Sequence, residues 1–245
     1  MIENHELHNL FPTPFYFFTL SDDCIKRLGD EITAEYKKNC DDPSTHNKAD
    51  HLVSDLDGLM GFCKNKGINV YQSNSNLQTR EEFSFLNDVI FDACRLWEEK
   101  TKCKIPTFDI NLMWSNIYRP NGFNPEHFHP NSFLSGIILV KDPQTRAKDG
   151  VRVNQHGGTV FYSPINQNFV ILPEALEEGS AYYTPTIKPD LKEGTMVLFP
   201  SWLRHAANPY VPHPDDKNEF RVTVSFNVMV RGTMGKVDNL TLHEY

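Results

Sequence analysis

Hydrophobic positions follow two different periods along the chain, and the first of them predicts helices. Apolar residues recur every three or four positions between about 22 and 38, where Ser21, Asp22 and Asp23 are typical of an N-cap and an acidic first turn. A second helix is predicted after Thr79-Arg80-Glu81-Glu82, which has the form of a capping box. The apolar positions of this second helix, which we expect to face a core, are Phe83, Leu86, Ile90, Ala93 and Trp97.

From about Ile105 the pattern changes to runs that are typical of β-strands, separated by Pro, Gly and Asn clusters. Earlier in the chain, the aromatic segment Phe11–Leu20 contains two prolines and is typical of an entry strand at a sheet edge. The strands predicted after Ile105 are Phe108–Tyr118, Ser132–Val140, Gly158–Tyr162, Thr195–Phe199 and Arg221–Val230. Short strands with long connections predict a mostly β (α+β) fold, a jelly-roll-like barrel with the N-terminal helices packed outside.

We predict a single compact domain with three stretches. Residues 1–104 form a region of helices and an edge strand that supports the barrel, residues 105–232 form the barrel, and residues 233–245 form a C-terminal tail. A chain of 245 residues is long enough to bury one core of useful size. The segments 141–158 and 164–189 are predicted loops, and each is a candidate lid over a site.

Composition and charge narrow the classes of partner. The net charge of −8, from 24 basic and 32 acidic residues, argues against nucleic acid as a partner, because phosphate contacts rely on positive charge. Five cysteines without a C-x-x-C spacing, and a start without a secretory signal or a membrane span, favour a reducing cytoplasm. The substrate is left open among small molecules, peptides and saccharides, and no oligomeric state is predicted.

The strongest chemical signal is His127-Phe128-His129, followed far downstream by His205 and Arg221. Residues two apart on a strand project from the same face, so His127 and His129 can direct their imidazoles at one point. A third imidazole from His205 would complete a facial set of ligands and leave the other positions of an octahedral metal open. Arg221 offers a planar, permanently charged fork suited to a carboxylate, although a strand arginine can also form an ordinary surface ion pair.

These segments resemble the 2-oxoglutarate/Fe(II)-dependent dioxygenases, which are built on a double-stranded β-helix. The resemblance extends from about Trp114 to Val230 and points to a subgroup marked by an H-x-H-P segment. One H-x-H alone is a weak signal, but four segments in the same order are a strong one. They are Leu10-Phe11-Pro12-Thr13-Pro14, His127-Phe128-His129-Pro130, Leu134-Ser135-Gly136 and Phe199-Pro200-Ser201-Trp202-Leu203-Arg204-His205.

The resemblance implies a set of site residues and a reaction. His127 and His205 match the family's iron-binding histidines, and Arg221 matches the residue that pairs with the distal carboxylate of 2-oxoglutarate. Thr223 would add a hydroxyl to that cosubstrate site, and Tyr118 would be a further contact. The implied reaction consumes O2 and 2-oxoglutarate, releases succinate and CO2, and most often hydroxylates an unactivated C–H bond.

The chain departs from the family at position 129, where most members have an aspartate or glutamate. Three imidazoles, from His127, His129 and His205, give the site one negative charge less than two histidines and a carboxylate would. However, related cupin barrels do bind iron with three histidines. Two alternatives therefore stay open. One is a non-catalytic metal-binding β-barrel module, which the presence of Arg221 argues against. The other is a cupin-type dioxygenase that binds its substrate directly to iron without 2-oxoglutarate.

Two acidic residues near the H-x-H segment, Glu126 and Asp142, are further candidate ligands. Glu126 is adjacent to His127 and should point to the opposite face of the strand. Asp142 lies beyond the end of the following predicted strand. We therefore expect neither carboxylate to belong to the metal site.

Overall fold

The computed structural model describes residues 12–40, 70–142, 157–165, 184–211, 220–234 and 243–244. Two α-helices lie in these ranges, α1 (Asp22–Cys40) and α2 (Ser84–Thr101). Two 3-10 turns, Leu77–Thr79 and Glu81–Phe83, lead into α2. No helix among the described residues is long and apolar enough to span a membrane.

The described strands form two antiparallel sheets and one small pair. The larger sheet has the spatial order β1 (Tyr16–Thr19), β8 (Thr195–Pro200), β5 (Leu134–Lys141), β10 (Arg221–Arg231), β3 (Thr107–Tyr118) and β2 (Val70–Gln72). The smaller sheet has the order β4 (Asn124–His127), β9 (His205–Ala207), β6 (Thr159–Tyr162) and β7 (Thr186–Ile187). The small pair consists of β11 (Thr233–Met234) and β12 (His243–Glu244).

Both faces of the larger sheet are covered, which explains the continuous apolar runs of its central strands. Along β8, Met196 and Leu198 belong to the core under the helices, whereas Val197 and Phe199 belong to the core between the two sheets. Successive side chains of a strand point to opposite faces, so a strand between two cores has no polar face. Phe161 of β6 completes the core between the sheets and meets the Phe199 ring edge-on at 4.9 Å between centroids.

The helices supply the outer cover of the larger sheet, as predicted. On α1, Leu28 and Ile32 are buried, and the hydroxyl of Ser21 accepts a hydrogen bond from the Cys24 backbone N–H at 3.3 Å, as expected of an N-cap. The five apolar positions predicted for the second helix are all buried. The fold class is confirmed: a mostly β jelly roll with helices packed outside.

The prediction of a capping box at the start of the second helix was wrong. The α-helix begins only at Ser84, and no side chain caps its first turn. Thr79 instead donates its hydroxyl proton to the Asn76 carbonyl at 2.8 Å, and the Glu82 carboxylate accepts from Arg80 Nε at 3.0 Å. These local bonds stabilise two 3-10 turns in place of a capped helical turn.

Several predictions fall wholly or partly outside the described residues. The described ranges do not contain most of the two candidate lids, 141–158 and 164–189. They also do not contain Leu10 and Phe11 of the first matching segment. The division of the chain at 104 and 232 stays a prediction.

Gly157 and Gly158, which precede β6, have positive φ values of 97° and 87°, in keeping with a turn that glycine makes without strain.

Candidate metal centre

Three histidines converge between the two sheets. His127 is the last residue of β4, His205 is the first residue of β9, and the two are direct partners in the antiparallel register. His129 lies two residues past the end of β4, so the argument from one strand face does not account for its position. Its backbone N–H donates to the Ser201 carbonyl at 3.0 Å, which fixes the loop so that the ligand atoms of all three histidines lie within 4.8 Å of one another.

The backbone determines which nitrogen of two of these rings is free. His127 Nδ1 is 2.7 Å from the Pro125 carbonyl oxygen, and His205 Nδ1 is 2.9 Å from the Leu203 carbonyl oxygen. A carbonyl oxygen can only accept, so both Nδ1 atoms carry a proton and both Nε2 atoms have a lone pair. His129 Nε2 lies 3.3 Å from His205 Nε2, so the Nε2 atoms of these two rings face each other.

Burial keeps the three rings neutral. Desolvation lowers the pKa of His127. Desolvation, and then electrostatic repulsion from His127, lower the pKa of His129 to about 3. The pKa of His205 is lowered well below its ordinary value by burial first and then by the other two histidines. A metal ion therefore does not have to displace protons from charged imidazolium groups at neutral pH.

This donor set fits a divalent ion of the first transition row. Imidazole suits iron, copper, nickel and zinc, and three nitrogen ligands leave the remaining positions of an octahedral ion open. The histidines line a cavity of about 480 Å³ that provides space next to those positions. Trp114 lines the same cavity, with its ring 5.8 Å from that of His129.

Arg221 lines the same cavity and is a buried cation whose hydrogen bonds are not all satisfied. Its exposed fraction is 2 %, and its Nε atom has no hydrogen-bond partner among the described residues. Asp142 Oδ2 lies 3.8 Å from Arg221 Nε, which is within the range of an ion pair but beyond hydrogen-bond distance. A buried charge is stable only with partners, so this guanidinium is suited to an anion that enters the cavity.

Tyr118 and Thr223, the other two residues predicted for the cosubstrate, lie beside Arg221. Tyr118 is the register partner of Arg221 on β3, and its ring centroid is 5.2 Å from the guanidinium carbon. Thr223 is two residues along β10 and lines the cavity as well. All six predicted site residues therefore meet in one cavity.

Amide side chains that the sequence analysis did not single out support this cavity. Asn124 Nδ2 donates to the Tyr118 hydroxyl at 3.0 Å, and Asn116 Nδ2 donates to the Thr223 hydroxyl at 3.2 Å. Asn227 contacts His129, with 3.3 Å between Asn227 Nδ2 and His129 Nδ1. No motif marks these residues, because they meet their partners only in the folded structure.

The two acidic candidates lie apart from the histidine cluster, as expected. Glu126 forms a salt bridge with Arg204, and Asp142 lies beside Arg221. Among the described residues, the group that could hold a metal ion contains His127, His129 and His205 without a carboxylate. Trp202 is 51 % exposed and borders a second cavity, which His129 also lines.

Comparison with known proteins connects this site to a family. Residues 112–227 match the family described as "Putative 2OG-Fe(II) oxygenase". No curated protein matches the chain in sequence. The family match covers both the H-x-H segment and Arg221, and it confirms the resemblance to 2-oxoglutarate/Fe(II) oxygenases over this segment.

Solved structures of similar fold agree with this match. A prolyl-4-hydroxylase from Pseudomonas putida has a TM-score of 0.51 at 12 % identity, covering 88 % of this chain and 92 % of that one. AviO1 from Streptomyces viridochromogenes has a TM-score of 0.51 at 12 % identity, covering 89 % and 90 %. HygX from Streptomyces hygroscopicus, solved with nickel, 2-oxoglutarate and hygromycin B bound, has a TM-score of 0.51 at 9 % identity, covering 89 % and 83 %. At such identities the likeness shows a shared fold.

Proposed function

We propose that this protein is an Fe(II)- and 2-oxoglutarate-dependent oxygenase that hydroxylates its substrate. The observation that carries the proposal is the pairing of two features in one cavity: a neutral three-histidine cluster and a buried Arg221 whose Nε atom has no hydrogen-bond partner in the part of the chain that the structure describes. A metal-binding cluster alone fits many proteins. The additional buried fork for a carboxylate fits a metal enzyme with an anionic cosubstrate.

In this proposal His127, His129 and His205 hold Fe(II) through their Nε2 atoms. Bound iron supplies the redox chemistry, in which O2 and 2-oxoglutarate convert a substrate C–H group to C–OH while 2-oxoglutarate loses CO2 and becomes succinate. The protein contributes three neutral imidazoles, and two of them have a fixed orientation because backbone carbonyls hold their rings through Nδ1. Such hydrogen bonds from the second ring nitrogen also raise the basicity of a metal-bound histidine.

Arg221 would bind the distal carboxylate of 2-oxoglutarate. Its guanidinium is permanently charged and lies where water is largely excluded, so a charge-assisted hydrogen bond there is stronger than at the surface. Thr223 and Tyr118 would contribute hydroxyl groups next to the same carboxylate. Asn116 and Asn124 hold these two hydroxyls by donating hydrogen bonds to them, which orients their lone pairs away from the cosubstrate and their protons towards it.

The test is an anaerobic titration of the metal-free protein with Fe(II) and then with 2-oxoglutarate, followed by visible absorbance. We expect a weak charge-transfer band that requires both additions. Arg221→Ala should still bind Fe(II), but the band should need a far higher 2-oxoglutarate concentration. Arg231→Ala is the matched control, because Arg231 lies on the same strand and pairs at the surface with Asp109.

A second outcome would favour the cupin-type alternative. Its supporting observation is the absence of a carboxylate from the group of metal-binding side chains among the described residues. If Fe(II) binds tightly but 2-oxoglutarate produces no band, the proposed cosubstrate is wrong. If Arg221→Ala behaves like Arg231→Ala, the role of the guanidinium is wrong even though the iron site stands.

A further inference from the structure

Asn227 is a buried amide that lies between a serine and one of the three histidines. Its exposed fraction is 2 % and that of Ser135, its register partner on β5, is 1 %. Ser135 Oγ donates to Asn227 Oδ1 at 2.8 Å, and Asn227 Nδ2 lies 3.3 Å from His129 Nδ1. His129 is thus the member of the cluster whose second nitrogen meets a side chain, whereas His127 and His205 meet backbone carbonyls.

The hydrogen bonds around Asn227 form one continuous donor-to-acceptor series. Ser135 donates to Asn227, and Asn227 donates through Nδ2 to His129 Nδ1. His129 then carries its proton on Nε2 and donates it to His205 Nε2 at 3.3 Å, and His205 donates from Nδ1 to the Leu203 carbonyl. Each bond of the series joins one donor to one acceptor, but His129 Nε2 is protonated and cannot bind a metal in this arrangement.

We infer that Asn227 is a positioning residue that sets the tautomer of His129 for metal binding. This inference rests on the proposed metal site. A half-turn of the amide about its Cβ–Cγ bond brings Oδ1 to His129 Nδ1 and Nδ2 to Ser135 Oγ. Oδ1 then accepts a hydrogen bond from the proton that has moved to His129 Nδ1, and the His129 Nε2 lone pair becomes free for the metal.

The chemistry of the two partners allows both orientations. The serine hydroxyl can donate or accept, and an asparagine amide presents a donor at one end and an acceptor at the other. A backbone carbonyl in this place would fix the Nδ1–H tautomer permanently, as it does for His127 and His205. An aspartate or glutamate at position 129 has no tautomer to set, so this role of Asn227 is tied to the histidine that replaces the usual carboxylate.

The test compares Asn227→Asp with Asn227→Leu in the full-length protein, using Co(II) as the probe. A carboxylate at 227 can only accept, so it should favour the His129 Nδ1–H tautomer, and Co(II) affinity should be retained or increased. Leucine has a similar volume without an acceptor, and Co(II) affinity should fall about 10- to 100-fold, the usual effect of losing such a partner. Thermal unfolding of the metal-free variants checks that both fold.

A spectroscopic readout makes the test independent of activity. Nitrogen-15 chemical shifts of the His129 ring should report the Nε2–H form in the metal-free wild type and the Nδ1–H form in metal-free Asn227→Asp. After Zn(II) is added, the wild type should change to the Nδ1–H form. If Asn227→Asp loses as much Co(II) affinity as Asn227→Leu, or if His129 has the same tautomer in all forms, the inference is wrong.

The control His129→Ala separates this inference from the proposed function. If His129→Ala weakens Co(II) binding but both Asn227 variants bind like the wild type, only the role of Asn227 is overturned. If the wild type does not bind Co(II), or if His129→Ala binds it equally well, the three-histidine site is wrong and the inference fails with it.

Discussion

At the scale of single residues, the neutral histidines make the metal-free protein sensitive to acid. Burial, and then the neighbouring His127, lower the pKa of His129 to about 3 in the folded state, whereas a histidine in an unfolded chain has a pKa of about 6.5. Below about pH 6.5 the unfolded state therefore binds a proton that the folded state excludes, and stability falls as the pH falls towards 3. For His129 alone, the free energy of unfolding should decrease by about 1.4 kcal/mol per pH unit within that window.

This prediction can be checked by urea unfolding of the metal-free protein between pH 7.5 and pH 5. His129→Gln has no group that titrates in this range, so its free energy of unfolding should depend less steeply on pH than that of the wild type. Equal slopes in the two proteins would mean that His129 already has an ordinary pKa in the folded state. Saturating metal should leave this slope as steep, because ligation keeps the folded-state ring unprotonated while the unfolded chain still binds the proton.

The residues of the candidate site differ in how far sequence alone could predict them. His127, His205 and Arg221 follow from their order and from the family resemblance, and the structure brings them into one cavity. Asn116 and Asn227 carry no such signal, since asparagine is common in polar positions. Asn116 meets Thr223, and Asn227 meets Ser135, only because β3 and β5 pair with β10 in a particular register. A register is a tertiary property that one sequence does not specify at this precision.

At the scale of secondary-structure elements, strands of two or three residues could not be predicted, whereas most of the longer ones could. The five strands predicted after Ile105 correspond to β3, β5, β6, β8 and β10, with ends that differ by at most two residues, and the predicted entry strand contains β1. β2 and β9 have three residues each, too few for a periodic pattern to be recognised. β9 is the strand on which His205 lies, so the pairing of His205 with His127 became visible only in the sheet.

The contact between Gly136 and Phe226 tests the packing of two central strands. These residues are register partners on β5 and β10, and a Cβ added at Gly136 would lie 2.1 Å from Phe226 Cζ. Gly136→Ala should therefore force the aromatic ring or a strand to move, at a cost of about 1–3 kcal/mol in the free energy of unfolding. Chemical denaturation measures this difference directly.

Gly29→Ala is the matched control for this substitution. Gly29 lies inside α1, where an added Cβ would meet Val140 Cγ1 at an ordinary 3.8 Å. Alanine in a helix interior is favoured over glycine by about 0.5–1 kcal/mol, so this variant should be slightly more stable than the wild type. A Gly136→Ala protein as stable as the wild type would show that the Phe226 ring moves aside without loss.

At the scale of the whole molecule, the candidate site connects the two sheets. His127 and His205 belong to the smaller sheet, and Arg221 belongs to the larger one. In the proposed function, a metal ion bound to the histidines and 2-oxoglutarate bound to Arg221 would be in contact with each other. Together they would join elements that are otherwise held by the apolar core between the sheets.

This arrangement predicts that metal and cosubstrate stabilise the protein more together than separately. A ligand at about 100 times its Kd adds about 2.7 kcal/mol to the free energy of unfolding, which corresponds to a rise of about 5–10 °C in Tm for a chain of this size. Thermal unfolding is measured with Ni(II), with 2-oxoglutarate and with both. We expect 2-oxoglutarate alone to raise Tm only slightly, and to raise it much more when Ni(II) is already bound. Arg221→Lys should keep the rise in Tm caused by Ni(II) and lose most of the further rise caused by 2-oxoglutarate, because an ammonium group lacks the planar fork of a guanidinium. Equal and additive shifts in the wild type would instead place the two ligands at separate sites.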